Sequence, residues 1–432
     1  MIVAVPMLDI KIIRENPELV RAAIHAKRAD DVIDEVLTLD ATRRGIISRV
    51  EVLKNKRNTV SEEIARIKKS NGNADDVIVE MKVVSDEITE LDISLREIEE
   101  KLNGLLDTIP NIPHADVPHG EDLSGNVEVK RWVPNNDESR LQKKTGLDHL
   151  QIAEKYSLFD FKRGAKVAAA GFPLYTGRGA ALERAFINFM LDEHVDNNGY
   201  TEVMPPFFAN AESLRGTGNL PKFRDQLYYM PEDELFAIPT AEVPITNIYR
   251  DEVLKAEDLP IKYCGFTACF RREAGSYGKD TRGFLRVHEF NKVELVKFSL
   301  PEHSYEEHES LTRNAESILE LLEIPYRRLL LCDGDTSFAS AKTYDLEVWA
   351  PIEGAWLEAS SCSNFESFQA RRANIRFKRD PKSKPEFLHT LNGSGLATSR
   401  LMVAFLENHQ APDGSIKIPE ALHKYLSFST IS

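Results

Sequence analysis

The stretch from residue 39 to residue 105 constrains this chain most. In its second half Val77, Met81, Val84, Ile88, Leu91, Leu95, Ile98, Leu102 and Leu105 recur in alternating steps of four and three, the seam of a coiled coil. The first half repeats the pattern through Leu39, Ile46, Val50, Leu53, Val60, Ile64 and Ile67, with Arg43 and Arg57 interrupting it. Between the halves Ser70-Asn71-Gly72-Asn73 breaks the helical pattern. So short a turn makes the two helices antiparallel. About 30 residues per helix at 1.5 Å each give an arm roughly 45 Å long. Each helix has one apolar stripe, so the pair is expected to bury those stripes against each other and to project from any other core.

Charge is segregated between the two helices. Residues 41–69 carry Arg43, Arg44, Arg49, Lys54, Lys56, Arg57, Arg66, Lys68 and Lys69 against three acids, a net +6. Residues 76–106 carry three cations against nine acids, a net −6. Opposite charges can simply pair the helices. Alternatively, the basic helix can track a phosphate backbone. Composition leaves both readings open. The whole chain of 432 residues carries a net charge of −14, which argues against wrapping nucleic acid over its entire surface but not against a local basic element. No apolar run approaches the roughly 20 residues of a membrane helix. The N-terminus, Met1–Pro6 and on to Lys11, lacks a basic region followed by a long apolar one, so no signal peptide and a cytoplasmic location are expected, with Met7 a second candidate start. Cys264, Cys269, Cys332 and Cys362 show no CxxC spacing and read as reduced thiols, not as a disulfide frame or zinc site.

Residues 107–140 are rich in Pro, Asn, Gly and Asp and read as a linker between an arm domain, 1–106, and a body, 141–432. In the body, Ala181-Leu182, Ala185-Phe186 and Phe189-Met190 recur at helical spacing, with Gly199 as a stop. Tyr200–Met204 reads as extended and is closed by Pro205-Pro206. Long strand patterns with interspersed helices, and no regular βαβ alternation, predict an α+β domain on an antiparallel sheet.

Two constellations carry chemistry. In the first, Phe266, Ala268 and Phe270 alternate with residues leading to Arg271 and Glu273, a Gly-rich loop follows, and then Arg286, Phe290 and Glu294 share one strand face. Arginines, a carboxylate and an aromatic on one hairpin suit an anion with a stacked ring, such as a nucleotide. An exposed hairpin with cross-strand ion pairs fits equally. In the second, Gly393-Ser394-Gly395 reads as a turn opening a helix whose Arg400 sits near the core and so needs an anionic partner. Thr240-Ala241-Glu242 reads as a strand end or helix start, Trp356–Cys362 as a buried strand with one acid, and His303 and His308 as a solvated helix face.

Together these motifs resemble the bacterial-type seryl-tRNA synthetases, class II aminoacyl-tRNA synthetases. Phe270–Gly275 with Asp280-Thr281-Arg282-Gly283 and Val287–Phe290 resembles class II motif 2. Gly393–Arg400 resembles motif 3, and residues 181–206 resemble motif 1, which implies a homodimer. Gly216–Pro221, Thr240-Ala241-Glu242 and the heptad hairpin are particular to the seryl branch. The resemblance implies ATP-dependent activation of L-serine and its transfer to serine tRNA, leaving selenocysteine tRNA open as a further acceptor. By position, Arg271 would hold the serine carboxylate and α-phosphate, with Arg400 the second catalytic arginine. Thr240, Ala241, Glu242, Glu294 and Ser394 would hold serine. The ATP side would comprise Arg271, Arg272, Glu273, Arg286 and Phe290 with Arg400 across the adenine, and Glu358, Ala359, Ser360 and Ser361. Glu358 would also help hold Mg²⁺, and no zinc is expected. The basic helix, through Arg43, Arg44, Lys54, Lys56, Arg57, Arg66, Lys68 and Lys69, would meet the tRNA by backbone and shape. Arg272 and Glu289 depart from the Ser and Gln common in relatives.

Overall fold

The computed structural model describes residues 8–274 and 283–432. Readings that involve Met1–Met7, Gly275, Gly278 or Asp280-Thr281-Arg282 lie outside the described residues. The chain divides into two units, Met1–Pro110 and Asn111–Ser432.

In the first unit two short helices, α1 (Ile10–Glu15) and α2 (Pro17–Ala26), precede α3 (Ile33–Lys69) and α4 (Asp75–Leu106). Helices α3 and α4 form the antiparallel hairpin that the heptads predict. Leu53, Met81, Val84 and Ile88 bury its seam, with Val60, Ile64 and Leu91 packed alongside. The turn closes with the Gly72 amide donating to the Ile67 carbonyl at 2.9 Å, and Asn71 adopts a positive φ of 54°. Four ion pairs cross between the helices: Arg43–Glu99 at 3.0 Å, Arg49–Glu87 at 2.8 Å, Lys54–Asp92 at 3.7 Å and Lys56–Glu80 at 2.6 Å. Arg44 instead turns back along its own helix to Asp40, 3.0 Å away, a carboxylate 1% exposed that Arg14 also faces. Arg57, Arg66, Lys68 and Lys69, towards the turn, enter no ion pair among the described residues. Charge pairing between the helices therefore accounts for only part of the basic helix.

The second unit is built on an eight-stranded sheet. Its strands are β1 (Val127–Trp132), β2 (Thr201–Glu202), β3 (Ile261–Phe270), β4 (Glu289–Ser299), β5 (Tyr326–Leu330), β6 (Lys342–Ala350), β7 (Ala355–Asn364) and β8 (His389–Ala397). Their order is β1-β5-β6-β7-β8-β4-β3-β2. Every neighbouring pair is antiparallel except β2 with β3. The longest helices packed on it are α5 (Gly177–Asp196), α6 (Ser304–Leu321) and α7 (Thr398–Asn408). Phe186 of α5 and Phe405 of α7, both fully buried, meet edge to face at 4.9 Å in the main core. Leu311 and Ile318 of α6 and Leu346 and Val348 of β6 belong to the same cluster. This is the α+β architecture that the alternating patterns predict.

Three local readings are corrected. Residues 107–140 were expected as linker, yet within them β1 pairs with β5 and Trp132 stacks on Tyr326 at 5.8 Å. Edge position leaves Val127 and Val129 half exposed, so the strand lacks the apolar signal of a buried one. Gly393-Ser394-Gly395 is not a turn but the middle of β8, and the helix begins only at Thr398. The glycines serve close packing: a Cβ at Gly393 would sit 2.6 Å from Leu311 and one at Gly395 2.7 Å from His194. His308 is not on a solvated face. It is 1% exposed, its Nε2 bonds the Cys362 carbonyl at 2.8 Å, and burial pushes its pKa down to about 4. His303 is exposed.

Candidate active site

An open cavity of about 460 Å³ lies against the central strands. Strand β4 supplies Phe290, Lys292 and Glu294, which share a face because side chains alternate along a strand. Ser394 of β8 pairs directly across from Glu294. Next to it the register shifts between Ser394 and Leu396, one extra residue that bulges the strand at Gly395. A second shift, where Leu346 pairs with Ser360 but Glu347 with Glu358, leaves Ala359 unmatched. Through that bulge Glu358, Ala359, Ser360 and Ser361 all line the cavity, against the usual alternation. Thr240 and Glu242 arrive from the start of the short helix Glu242–Thr246, and Arg271 and Glu273 from the chain just past the end of β3. Arg286 comes from the return to β4, and Arg400 from the first turn of α7.

A buried carboxylate fixes that first turn. Glu183 of α5 accepts from the Thr398 hydroxyl at 2.5 Å and the Asn291 amide at 2.8 Å, and burial pushes its pKa up to about 7. One side chain thus ties α5, β4 and the start of α7 together. Arg400 donates from Nη1 to the Glu358 carbonyl at 2.9 Å, with the Glu358 carboxylate 3.3 Å away, which supplies the anionic partner expected for it.

The amino-acid end of the cavity is a dense polar cluster. Glu294, 2% exposed, forms an ion pair with Lys292 and accepts from the Thr240 hydroxyl at 2.8 Å. Lys292 also donates to the Thr240 oxygen at 2.8 Å. Glu242 accepts from the Gln369 side chain at 2.6 Å. Burial first, then the charge of Glu294, push the Glu242 carboxyl up to about 7, opposed by the Gln369 bond and by Lys292. At the other end the Arg271 guanidinium lies 5.2 Å from the Phe290 ring centre and donates to the Pro239 carbonyl at 3.3 Å. Arg286 and Glu273 form an ion pair. Behind Ser361, directly across from it in β6, burial and the nearby charge of Glu358 hold the Asp345 carboxyl well above the ordinary range.

Of the residues expected in the site, Ala241 and Arg272 do not line the cavity. Ala241 is fully buried in an apolar cluster with Ile245 and Val296. Arg272 points out of the strand end, its guanidinium 5.9 Å from the Tyr228 ring centre. Arg272 lies past the end of β3, where its amide donates to the Gln226 carbonyl at 3.0 Å. Sequence reasoning missed Lys292, Val287, Asn392, Thr217 and Phe338, which also line the cavity. Lys292 was reachable, because it has the same strand parity as Phe290 and Glu294. Thr217 lies in the Gly216–Pro221 run noted in the sequence but was given no place in the site, and Phe338 comes from a distant loop and left no signal.

Residues 7–113 match the seryl-tRNA synthetase N-terminal domain, and residues 227–409 match the class II tRNA synthetase core domain for Gly, His, Pro, Ser and Thr. A serine–tRNA ligase of Chloroherpeton thalassium is 57% identical over 429 residues, covering 98% of this chain and 100% of the relative. The chain belongs to the seryl-tRNA synthetase family. Among solved structures, the seryl-tRNA synthetase of Pyrococcus horikoshii complexed with ATP superposes with a TM-score of 0.91 at 37% identity, covering 98% of this chain and 99% of that one. The cytoplasmic serine–tRNA ligase of Naegleria fowleri in complex with AMP gives 0.85 at 30% identity, covering 98% of both chains. A seryl-tRNA synthetase fold thus accounts for both units, the helical hairpin as well as the sheet. No described helix is long and apolar enough to cross a membrane.

Proposed function

We propose that this chain is a serine–tRNA ligase that forms seryl-adenylate from L-serine and ATP, releases pyrophosphate, and passes serine to the terminal 3′-hydroxyl of serine tRNA. One observation carries the reading: Arg271, Phe290, Glu294, Ser394 and Arg400, from three separate stretches of chain, line a single cavity. The attack of the serine carboxylate on the α-phosphorus joins two anions in line. Catalysis therefore consists of positioning and of neutralising charge, with no covalent enzyme nucleophile. Arg271 bridges the serine carboxylate and the α-phosphate. Phe290 and Arg400 hold the two faces of the adenine, Glu273 meets its amino group, and Arg286 reaches the phosphates. Glu242 with Thr240 takes the serine ammonium, and Glu294 with Ser394 takes the hydroxyl. A site built to bond a hydroxyl rejects alanine by leaving buried groups unpaired.

The donor set fits a hard divalent cation. Glu358 and Ser361 both line the cavity, and the Asp345 carboxylate behind them has a buried Oδ1 with no hydrogen-bond partner among the described residues. Mg²⁺ would be held by Glu358 with Ser361 nearby, and when bound would neutralise phosphate charge. Residues 1–106 serve as the tRNA-binding domain. The unpaired Arg57, Arg66, Lys68 and Lys69 near the hairpin turn are the cations best placed to meet phosphates. Residues 141–432, completed by β1, serve as the catalytic domain.

A homodimer is supported by a second groove of about 380 Å³ beside α5 and β2, where Ile187, Leu191, Val203 and Phe266 flank Met204, which is 82% exposed. Four free, buried thiols fit a reducing cytoplasm. ATP–pyrophosphate exchange across an amino-acid panel tests the proposal. Serine should support exchange far above alanine, glycine or threonine. A preference for another amino acid, or no exchange, would overturn it.

A further inference from the structure

The cavity's amino-acid end holds two buried carboxylates, Glu242 and Glu294, while the substrate of the proposed reaction brings one ammonium. If both carboxylates competed for it, serine would have two binding modes and the hydroxyl would lose its acceptor. The structure separates them by their partners. Glu242 is bonded to a neutral amide, Gln369. Glu294 is paired with a cation, Lys292, whose side chain is 7% exposed.

We propose that Lys292 is a specificity-determining residue of the serine pocket: its ammonium commits Glu294 to the substrate hydroxyl and leaves Glu242 to take the substrate ammonium. This rests on the serine–tRNA ligase reading above. The geometry of the triad supports it. Lys292 Nζ bonds Glu294 and the Thr240 hydroxyl, and that hydroxyl donates to Glu294 in turn, so the three side chains form a closed ring. Both bonds to Glu294 fall on Oε2, which leaves Oε1 as the oxygen for a ligand hydroxyl. Two of the three ammonium protons are engaged, and the third has no acceptor among the described residues. A hydroxyl both donates and accepts. Serine therefore satisfies the carboxylate and the ammonium together, and alanine satisfies neither. Threonine carries the same hydroxyl, so this ring does not reject it; its extra methyl must be excluded by space. With Lys292 replaced by an uncharged residue, Glu294 loses the cation that engages it and keeps, among the described residues, the bond from Thr240. The distinction between the two carboxylates then fades.

The test is steady-state ATP–pyrophosphate exchange with serine, alanine and threonine on the full-length enzyme, comparing wild type with Lys292→Met, Lys292→Gln and Lys292→Arg. In any folded uncharged variant the serine KM should rise and the serine-to-alanine ratio of kcat/KM should fall, each by at least about tenfold, a small part of the about 10⁴-fold discrimination that a hydroxyl-bonding site can reach. The KM for ATP and the serine-to-threonine ratio should stay within about twofold of wild type, which a merely structural loss would not spare. Lys292→Arg, which keeps the charge, should recover most of the serine-to-alanine ratio. An unchanged serine-to-alanine ratio in Lys292→Met or Lys292→Gln overturns the proposal. So does a loss in which the serine-to-alanine and serine-to-threonine ratios fall together. If both uncharged variants fail to fold, Lys292→Arg decides: retained discrimination supports the role, and lost discrimination with normal ATP affinity overturns it. Failure of the wild-type enzyme to exchange with serine would instead defeat the underlying reading.

Discussion

Glu242 gives the sharpest prediction about pH. Its carboxyl is pushed up to about 7 by burial and by the charge of Glu294. If it receives the serine ammonium, only the ionised form binds well. At pH 6 about one molecule in eleven is then ionised, and at pH 8 about ten in eleven, so the apparent serine KM should be about tenfold higher at pH 6 than at pH 8. That is about 1.4 kcal/mol of binding free energy across the range. Serine titrations of ATP–pyrophosphate exchange at saturating ATP, at half-unit steps from pH 6 to 8.5, measure it directly. Glu242→Gln should raise the serine KM at every pH and flatten its slope. The sign for stability runs the other way. A carboxyl whose folded pKa lies above its unfolded value binds more protons when folded, so its contribution weakens as pH rises from about 4.5 to about 7. Serine, by pairing with the ionised form, should offset that loss in melting experiments above pH 7. A serine KM that is flat between pH 6 and 8, or whose slope survives Glu242→Gln, would refute the assignment of the ammonium to Glu242.

Other residues yield outcomes that are as direct. Arg271→Ala removes the guanidinium facing both reacting anions and should lower serine-dependent exchange by at least about 10²-fold, with the fold intact by circular dichroism. Replacing Arg57, Arg66, Lys68 and Lys69 together by alanine should spare exchange, weaken serine-tRNA charging, and reduce the slope of log affinity against log salt by about 3. Arg49→Ala, which breaks a pair with Glu87, should act mainly on hairpin stability instead. Phe405→Ala, in the core against Phe186, should destabilise the catalytic unit by about 3–5 kcal/mol in denaturant unfolding.

What the chain reveals before folding depends on how local the physics is. The arm was legible because two isolated helices can bury apolar surface only against each other, so the heptads run unbroken along α4 and are interrupted only at Arg43 and Arg57 in α3. The shared face of Arg286, Phe290 and Glu294 was legible for a similar reason, since strand parity is a local rule. Lys292 obeyed the same parity, but a lysine in a strand resembles a solvated residue until its buried partner is known. Strand β1 was hidden because an edge strand needs little apolar surface and this one lies among Pro and Asn residues. The Gly393–Gly395 run was misread because glycine serves turns and close packing alike, and only the neighbouring Leu311 and His194 show which applies. His308 was misread because its surroundings come from β7, more than fifty residues downstream. Thr217 and Phe338 join the cavity through tertiary contacts alone.

One cavity is expected to hold serine and the adenylate side by side. A crystal structure of the protein with a non-hydrolysable seryl-adenylate analogue tests it most directly. The account predicts adenine between Phe290 and Arg400, the α-phosphate mimic at Arg271, the ammonium at Glu242 and the hydroxyl at Glu294 Oε1. An analogue bound elsewhere, or bound here with its ammonium on Glu294, would contradict it.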